Sequence, residues 1–375
     1  MSSSESNPQP AKRTAIVSPV TIDAFAVMDA AKAKAEAEAK ALSQHSHETA
    51  ADADAAVGHD DDDDDEQEVE DKDDGSPAAS DAPDWVDFPE DVTEIEAIHA
   101  RIRKMEQLER FTSLESLVLK QNLIRRIECI DTLTNLTELD LYDNQIDTIE
   151  GISTLTNLTI LDLSFNNIKV IQGLEPLVNL TKLFLSQNRI KVIEGLSTLT
   201  KLTMLELGAN NIREIQGLDT LVEIRELYLG KNKITAIKNL GHLQHLESLS
   251  LQSNRIVTIE NLDNLPQLEQ LYLSHNGIQE ISGLDANTQL SILDVGSNRI
   301  SRLANVGHLV SLEDFWLNNN RLENWADVDL LRTCPRLGTV YFEGNPIAKD
   351  SAYRRKVKLA LPTVFQVDAT PIRQN

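Results

Sequence analysis

An asparagine recurs at positions 122, 144, 166, 188, 210, 232, 254, 276, 298 and 320, in steps of 22 residues without a slip, and Asn345 follows 25 residues later. Around each sits the same apolar frame, as in Leu136, Leu139, Leu141, Asn144, Ile146 and Ile149. A unit of this length is too short to enclose a core by itself. A strict repeat of such units therefore folds only by stacking, each wedge of apolar side chains closed by its neighbours.

The spacing is that of a leucine-rich repeat, and the fold class it predicts is an α/β repeat: a solenoid with a curved parallel sheet and short 3-10 or helical segments on the convex side. One short strand per unit points leucines inward at alternate positions. The Asn side chain, with both donors and an acceptor, is expected to satisfy backbone groups freed where the chain leaves the strand. Losing one such buried partner should cost roughly 1–3 kcal/mol, and cutting one interior Leu to Ala roughly 2–5 kcal/mol. A solenoid also needs closed ends. Counting back 22 residues puts Ile95, Ile102, Met105 and Leu108 in frame with Ala100 in place of the Asn, while Trp85, Val86 and Phe88 are expected to cover the outer side. At the other end Asn345-Pro346 is followed by Tyr353, Arg354, Arg355, Leu361, Pro362, Val364 and Asp368, the pattern of a C-terminal cap. The expected organisation is thus residues 1–84 as a disordered acidic tail, 85–110 as the N-terminal cap, 111–345 as repeats and 346–375 as the C-terminal cap.

Charge supports that division. Residues 1–91 carry 25 acidic and 6 basic residues, a net of −19 out of −25 for the chain, which leaves −6 for the other 284. An acidic segment poor in large apolar residues, with an unbroken Asp60–Asp65 run, cannot bury enough surface to offset the entropy of ordering. Within it Ala24–Leu42 is rich in Ala, Lys and Glu, which favours transient helix on propensity alone. The balance argues against nucleic acid as main partner, since phosphate contacts need clustered Lys and Arg. Cys129 and Cys334 are too few for a disulfide scaffold and lack zinc-site spacing. Met1–Pro10 is polar with no apolar run behind it, so neither secretion nor a membrane anchor is expected, and the location expected is nucleus and cytoplasm. The Asn-Leu-Thr sequons at Asn135, Asn157 and Asn179 then recur only because the repeat does.

Residues flanking the inward leucine of each strand face the concave side, where stacked strands repeat every ~4.8 Å, so that eleven span on the order of 50 Å. One column reads Val118, Asp140, Asp162, Phe184, Glu206, Tyr228, Ser250, Tyr272, Asp294, Trp316 and Tyr341. The column two residues earlier adds Glu138, Ile160, Met204, Glu226, Ile292 and Asp314, and the one two later adds Tyr142. Exposed aromatic residues beside acids are expected here rather than the Thr, Ser and Lys of a neutral solvated sheet, and they suit a basic protein surface, because aromatic anchors are enriched in interface hot spots. The neighbouring carboxylates Asp140 and Asp162 resemble an acid/base dyad, but no nucleophile or ligand cluster accompanies them. His242 and His245 lack a third ligand, His275 stands alone, and no Gly-rich phosphate loop occurs. The chain reads as a binding platform without catalytic or cofactor sites.

Leu141-Tyr142-Asp143-Asn144-Gln145-Ile146, Leu271-Tyr272-Leu273-Ser274-His275-Asn276-Gly277-Ile278, Gly230-Lys231-Asn232-Lys233-Ile234-Thr235, and the ending Tyr353-Arg354-Arg355-Lys356-Val357 with Leu359-Ala360-Leu361-Pro362 resemble the leucine-rich-repeat regulatory subunits of type-1 protein phosphatase. The resemblance spans about residues 85–372. It implies a concave face that binds the phosphatase catalytic subunit, often with a small disordered phosphatase inhibitor as third member. The family's binding positions fall on Asp162, Phe184, Glu206, Tyr228, Asp314, Trp316 and Tyr341, with Asp140 and Tyr272 added by the column itself. Tyr228 and Asp314 stand where the family has Phe and Glu. Val86-Asp87-Phe88 lacks the basic residue of the short docking motif common among partners of this phosphatase, so docking is expected from the folded face. The alternatives are a ribonucleoprotein scaffold, for which eleven repeats are too many, and an acidic histone-binding chaperone, which would depend on the tail.

Overall fold

The computed structural model describes residues 14–16, 85 and 88–372. Most of the expected tail, Val86 of the expected N-terminal cover, and the last three residues lie outside that range. Among the described residues one sheet of fifteen strands runs in chain order, parallel throughout except for its last pair. Its strands are β1 (Thr14–Ile16), β2 (Glu94–Glu96), β3 (Ser116–Val118), β4 (Glu138–Asp140), β5 (Ile160–Asp162), β6 (Lys182–Phe184), β7 (Met204–Glu206) and β8 (Glu226–Tyr228). They continue as β9 (Ser248–Ser250), β10 (Gln270–Tyr272), β11 (Ile292–Asp294), β12 (Asp314–Trp316), β13 (Thr339–Tyr341), β14 (Gln366–Val367) and β15 (Thr370–Pro371).

Three residues per strand is what the frame allows. The middle one is apolar and fully buried, as with Leu139, Leu161 and Leu183, while its neighbours turn to the concave side. Register is in phase along the stack, Leu139 opposite Leu161 and Leu161 opposite Leu183, so the leucines form one continuous core. On the convex side the chain returns through single turns closed by bonds of 3-10 type, Leu133 N to Ile130 O at 3.0 Å and Leu136 N to Leu133 O at 3.0 Å in one repeat. Helices longer than such a turn occur among the described residues only near the C-terminus: α1 (Trp325–Val328), two short 3-10 segments, and α2 (Tyr353–Ala360).

The Asn column joins repeats to one another. Asn144 Oδ1 accepts from Ile124 N at 3.1 Å, and Asn144 Nδ2 donates to Leu119 O and to Leu141 O, both at 3.0 Å, so one amide spans two successive units. Asn166, Asn188, Asn210 and Asn232 repeat the pattern, and Asn345 closes it by accepting from Leu322 N at 2.9 Å. The residue before each Asn sits in the left-handed region, glycine only at Gly344 before Asn345 and elsewhere not, for example Phe165 at φ +56° and Ala209 at φ +52°.

Both ends are closed. Trp85 is fully buried, its carbonyl accepts from Arg110, and its ring meets Phe88 edge-on at 5.7 Å. At the far end Tyr353 Oη donates to Asp368 at 3.1 Å, and Asp368 Oδ1 accepts from Phe342 N at 2.9 Å and Glu343 N at 3.0 Å. One feature departs from the expected organisation: Thr14–Ile16, inside the segment read as tail, pair in parallel with Glu94–Glu96.

Candidate functional site

The first and third residues of each strand make the concave face, and all nine expected contact residues lie there. The register sets them in one ladder: Asp140 opposite Asp162, Asp162 opposite Phe184, Phe184 opposite Glu206, Glu206 opposite Tyr228. The ladder continues from Tyr228 through Ser250 to Tyr272, then Asp294, Trp316 and Tyr341. Asp314 shares β12 with Trp316, one position from the inward Phe315.

The structure corrects the expectation that the aromatics are exposed. Tyr228 and Tyr341 are almost covered, Tyr272 is only 2% exposed, and Asp140 is buried as well. Strands this closely stacked let each ring lie against its neighbours, and the phenols find partners: Tyr228 Oη donates to Glu226 at 2.6 Å, and Tyr341 Oη accepts from Gln366 Nε2 of β14 at 3.1 Å. Trp316 stands between Tyr272, with centroids 6.4 Å apart, and Tyr341, 6.0 Å away and edge-on. The half-exposed members are Asp162, Phe184, Glu206, Asp314 and Trp316. A partner therefore meets an acidic rung pattern with a half-buried indole and phenyl ring, Trp316 and Phe184, set beside covered tyrosines.

Along the face the acids have two tasks. Asp140, Asp162 and Asp294 each accept, through Oδ1, the backbone N–H two residues on, from Tyr142 at 3.1 Å, Ser164 at 2.8 Å and Gly296 at 2.9 Å. These carboxylates thus hold the strand exits as well as colouring the surface. Lys120 Nζ lies 2.7 Å from Asp140 Oδ2, offsetting part of the burial that raises the Asp140 carboxyl above its ordinary value. Burial, and then the charge of Asp140, push Asp162 up to about 8; burial pushes Asp294 up to about 6. Asp162 therefore keeps its proton at neutral pH, and a cation brought beside it from outside would favour its ionised form.

Sequence reading missed Lys120, the nearest cation to the acidic pair, and Phe165, whose ring packs on Tyr142 at 4.8 Å. Neither lies in the two main columns: Lys120 shares the column of Tyr142, and Phe165 stands one position later in the frame. Asp294 was in the column but not among the contact residues. The histidines fall elsewhere: His242 Nε2 is 2.8 Å from Leu218 O and brackets adjoining repeats, while burial lowers the pKa of His275. No group of three or more His, Cys, Asp or Glu placed to hold a metal occurs among the described residues, and no helix there is long and apolar enough to cross a membrane.

Family models described as leucine rich repeat match residues 223–278, and as leucine rich repeats in two copies residues 112–154, 134–177, 178–220 and 266–308, together more than half of the chain. A segment of 51 residues is 57% identical to protein phosphatase 1 regulatory subunit 7 of Xenopus tropicalis, covering 14% of this chain and 15% of that protein. The Homo sapiens protein of the same name matches at 57% over 51 residues, 14% of each chain. Protein phosphatase 1 regulatory subunit SDS22 of Schizosaccharomyces pombe matches at 52% over 46 residues, 12% of this chain and 14% of that one. The matched segments thus span about one seventh of the length of these relatives. Among solved structures, an internalin of Listeria monocytogenes superposes with a TM-score of 0.60 at 28% identity, covering 72% of this chain and 85% of that one. A Leptospira interrogans leucine-rich-repeat protein, 23% identical with a TM-score of 0.60 over 73% of this chain and 78% of that one, shares the fold.

Proposed function

The chain belongs to the leucine-rich-repeat proteins, and from that premise we propose that it is a non-catalytic regulatory subunit that binds the catalytic subunit of type-1 protein phosphatase through its concave face. The observation that carries the reading is the ladder from Asp140 to Tyr341, acidic or aromatic at every rung but Ser250, with Asp162, Phe184, Glu206 and Trp316, and Asp314 beside them, half-buried and open to a partner. The names of the relatives matched over 46 to 51 residues supply the identity of that partner.

The geometry suits a broad clamp better than a pocket. Half-exposed acids steer and orient a basic surface, while the fixed rings beside Trp316 give an anchor with little side-chain entropy left to lose. Because the tyrosines are already seated by Glu226 and Gln366, the face is organised before the partner arrives. Such a clamp regulates by holding whichever state of the catalytic subunit it binds more tightly. A small disordered inhibitor of the phosphatase as third member, and a location in nucleus and cytoplasm, belong to the same reading.

The test is direct binding between the full chain and purified type-1 phosphatase catalytic subunit by titration calorimetry, beside a Trp316→Ala, Glu206→Ala double variant. The expected result is a measurable complex weakened at least about 30-fold in a variant that melts like the parent. Absence of binding by the parent chain, or equal binding by the folded variant, overturns the proposal.

A further inference from the structure

The sheet does not begin where the repeats begin. β2 is the first strand of the periodic frame, and a strand in that place leaves a row of backbone N–H and C=O groups on its outer side. Thr93 O accepts from Glu115 N and Ser116 N, and Ala97 N donates to Val118 O, so the odd positions of β2 serve β3. Strand alternation then turns the backbone groups of Glu94 and Glu96 the other way. On that side lies β1, in parallel register with Thr14 opposite Glu94, Ala15 opposite Ile95 and Ile16 opposite Glu96. Trp85 and Phe88, by contrast, pack toward Arg110 and Phe111 and close the apolar end of the first unit, not its backbone edge.

We propose that the outer edge of β2 is a strand-docking site and that its resident occupant is the chain's own segment Thr14–Ile16. The local sequence fits the task. Thr14, Ile16 and Val17 are β-branched, as are Val20, Thr21 and Ile22 beyond Pro19, and Lys12 and Arg13 precede them while β2 carries Glu94 and Glu96. The other end of the sheet is finished in the same manner, by β14 and β15 added beyond β13. The added strand covers an edge that would otherwise recruit further strands, and its removal makes that edge available to an extended segment of a partner. Because both strands belong to one chain, the pairing is independent of protein concentration.

Amide hydrogen exchange tests this on the full chain, on a variant lacking residues 1–20, and on full-length Ala15→Pro, which removes the N–H of the β1 residue turned toward β2. The amides of Glu94 and Glu96 are expected to exchange at least about tenfold faster in both variants, with those of Leu117 and Leu139 and the thermal melt unchanged. A synthetic peptide of residues 11–20 should restore protection to the truncated chain. Equal exchange at Glu94 and Glu96 in parent and variants overturns the proposal. So does protection in the parent that falls on dilution together with a dimer mass by sedimentation, which would make a second copy the occupant.

Discussion

At the scale of single residues the concave acids are the least ordinary groups of the molecule. Asp162 is pushed up to about 8, first by burial and then by the charge of Asp140, against an ordinary carboxyl near 3.8. Between about pH 4 and pH 8 the folded chain keeps this proton while the unfolded chain has lost it. The folded state then binds more protons, and the group's contribution to stability falls as pH rises through that window, opposite to the usual salt-bridged carboxylate. Asp294, pushed up to about 6, acts in the same direction between about pH 4 and 6. Asp162→Asn keeps an oxygen to accept from Ser164 N and removes the charge. The variant should therefore melt about 2 °C or more above the parent at pH 8, with the gap closing toward pH 5, by calorimetry at both pH values. A parent chain whose advantage grows with pH would sink the account. The positions of these acids were legible in the sequence, because a strict period assigns each residue a column. The covering of Tyr228, Tyr272 and Tyr341 was not, since it depends on which way each ring lies across its neighbours, and composition holds no record of that.

At the scale of the repeating unit, a second column shows how the turns are made. Gly151, Gly173, Gly195, Gly217 and Gly283 all have φ between +63° and +70°, and in the same frame Cys129, Asn239, Asn261 and Asn305 have φ between +56° and +60°. A Cβ on Gly195 would sit 2.5 Å from Ile171 O. Where Asn replaces Gly, its amide turns that crowded carbonyl into a partner: Asn239 Nδ2 donates to Ile215 O at 2.8 Å and Asn261 Nδ2 to Ile237 O at 2.7 Å. Gly195→Ala should then cost roughly 1–3 kcal/mol, and Gly195→Asn clearly less, read from urea midpoints. An Ala variant as stable as the Asn variant would show that neither φ nor the carbonyl contact constrains the turn. The three-residue strands, the Asn ladder and the cap residues Trp85, Phe88 and Tyr353 were readable because period or position relative to the frame marks them. β1 was not: three β-prone residues outside any period do not say which edge they pair with, and the pairing exists because a backbone edge lies where they can reach it.

At the scale of the whole solenoid, stability is passed from unit to unit, so the ends decide whether the interior lasts. Inside the stack, backbone N–H groups after each strand donate to the next unit's carbonyls, as Leu317 N does to Tyr341 O and Asn319 N to Glu343 O. Among the described residues no further repeat follows β13 to receive Phe342 N, the counterpart of Leu317 N, and the neighbouring Glu343 N needs an acceptor as well. The Asp368 carboxylate takes both, and is itself held by the Tyr353 hydroxyl, while Asp368 N returns to Val340 O at 2.8 Å. One side chain thus stands in for the next unit of the frame. Asp368→Ala leaves two N–H groups and the Tyr353 hydroxyl without their acceptor in a buried site, which should cost roughly 2–4 kcal/mol. Asp368→Asn, which keeps an acceptor oxygen, should cost less than half of that. The loss should also have a direction: hydrogen exchange in the Ala variant should accelerate first at Phe342 and Glu343, then at Leu317, and last toward β3, as a front moving from the C-terminal end. Uniform acceleration along the stack would mean that the solenoid melts as a single block and that this cap does no more than any other buried hydrogen bond.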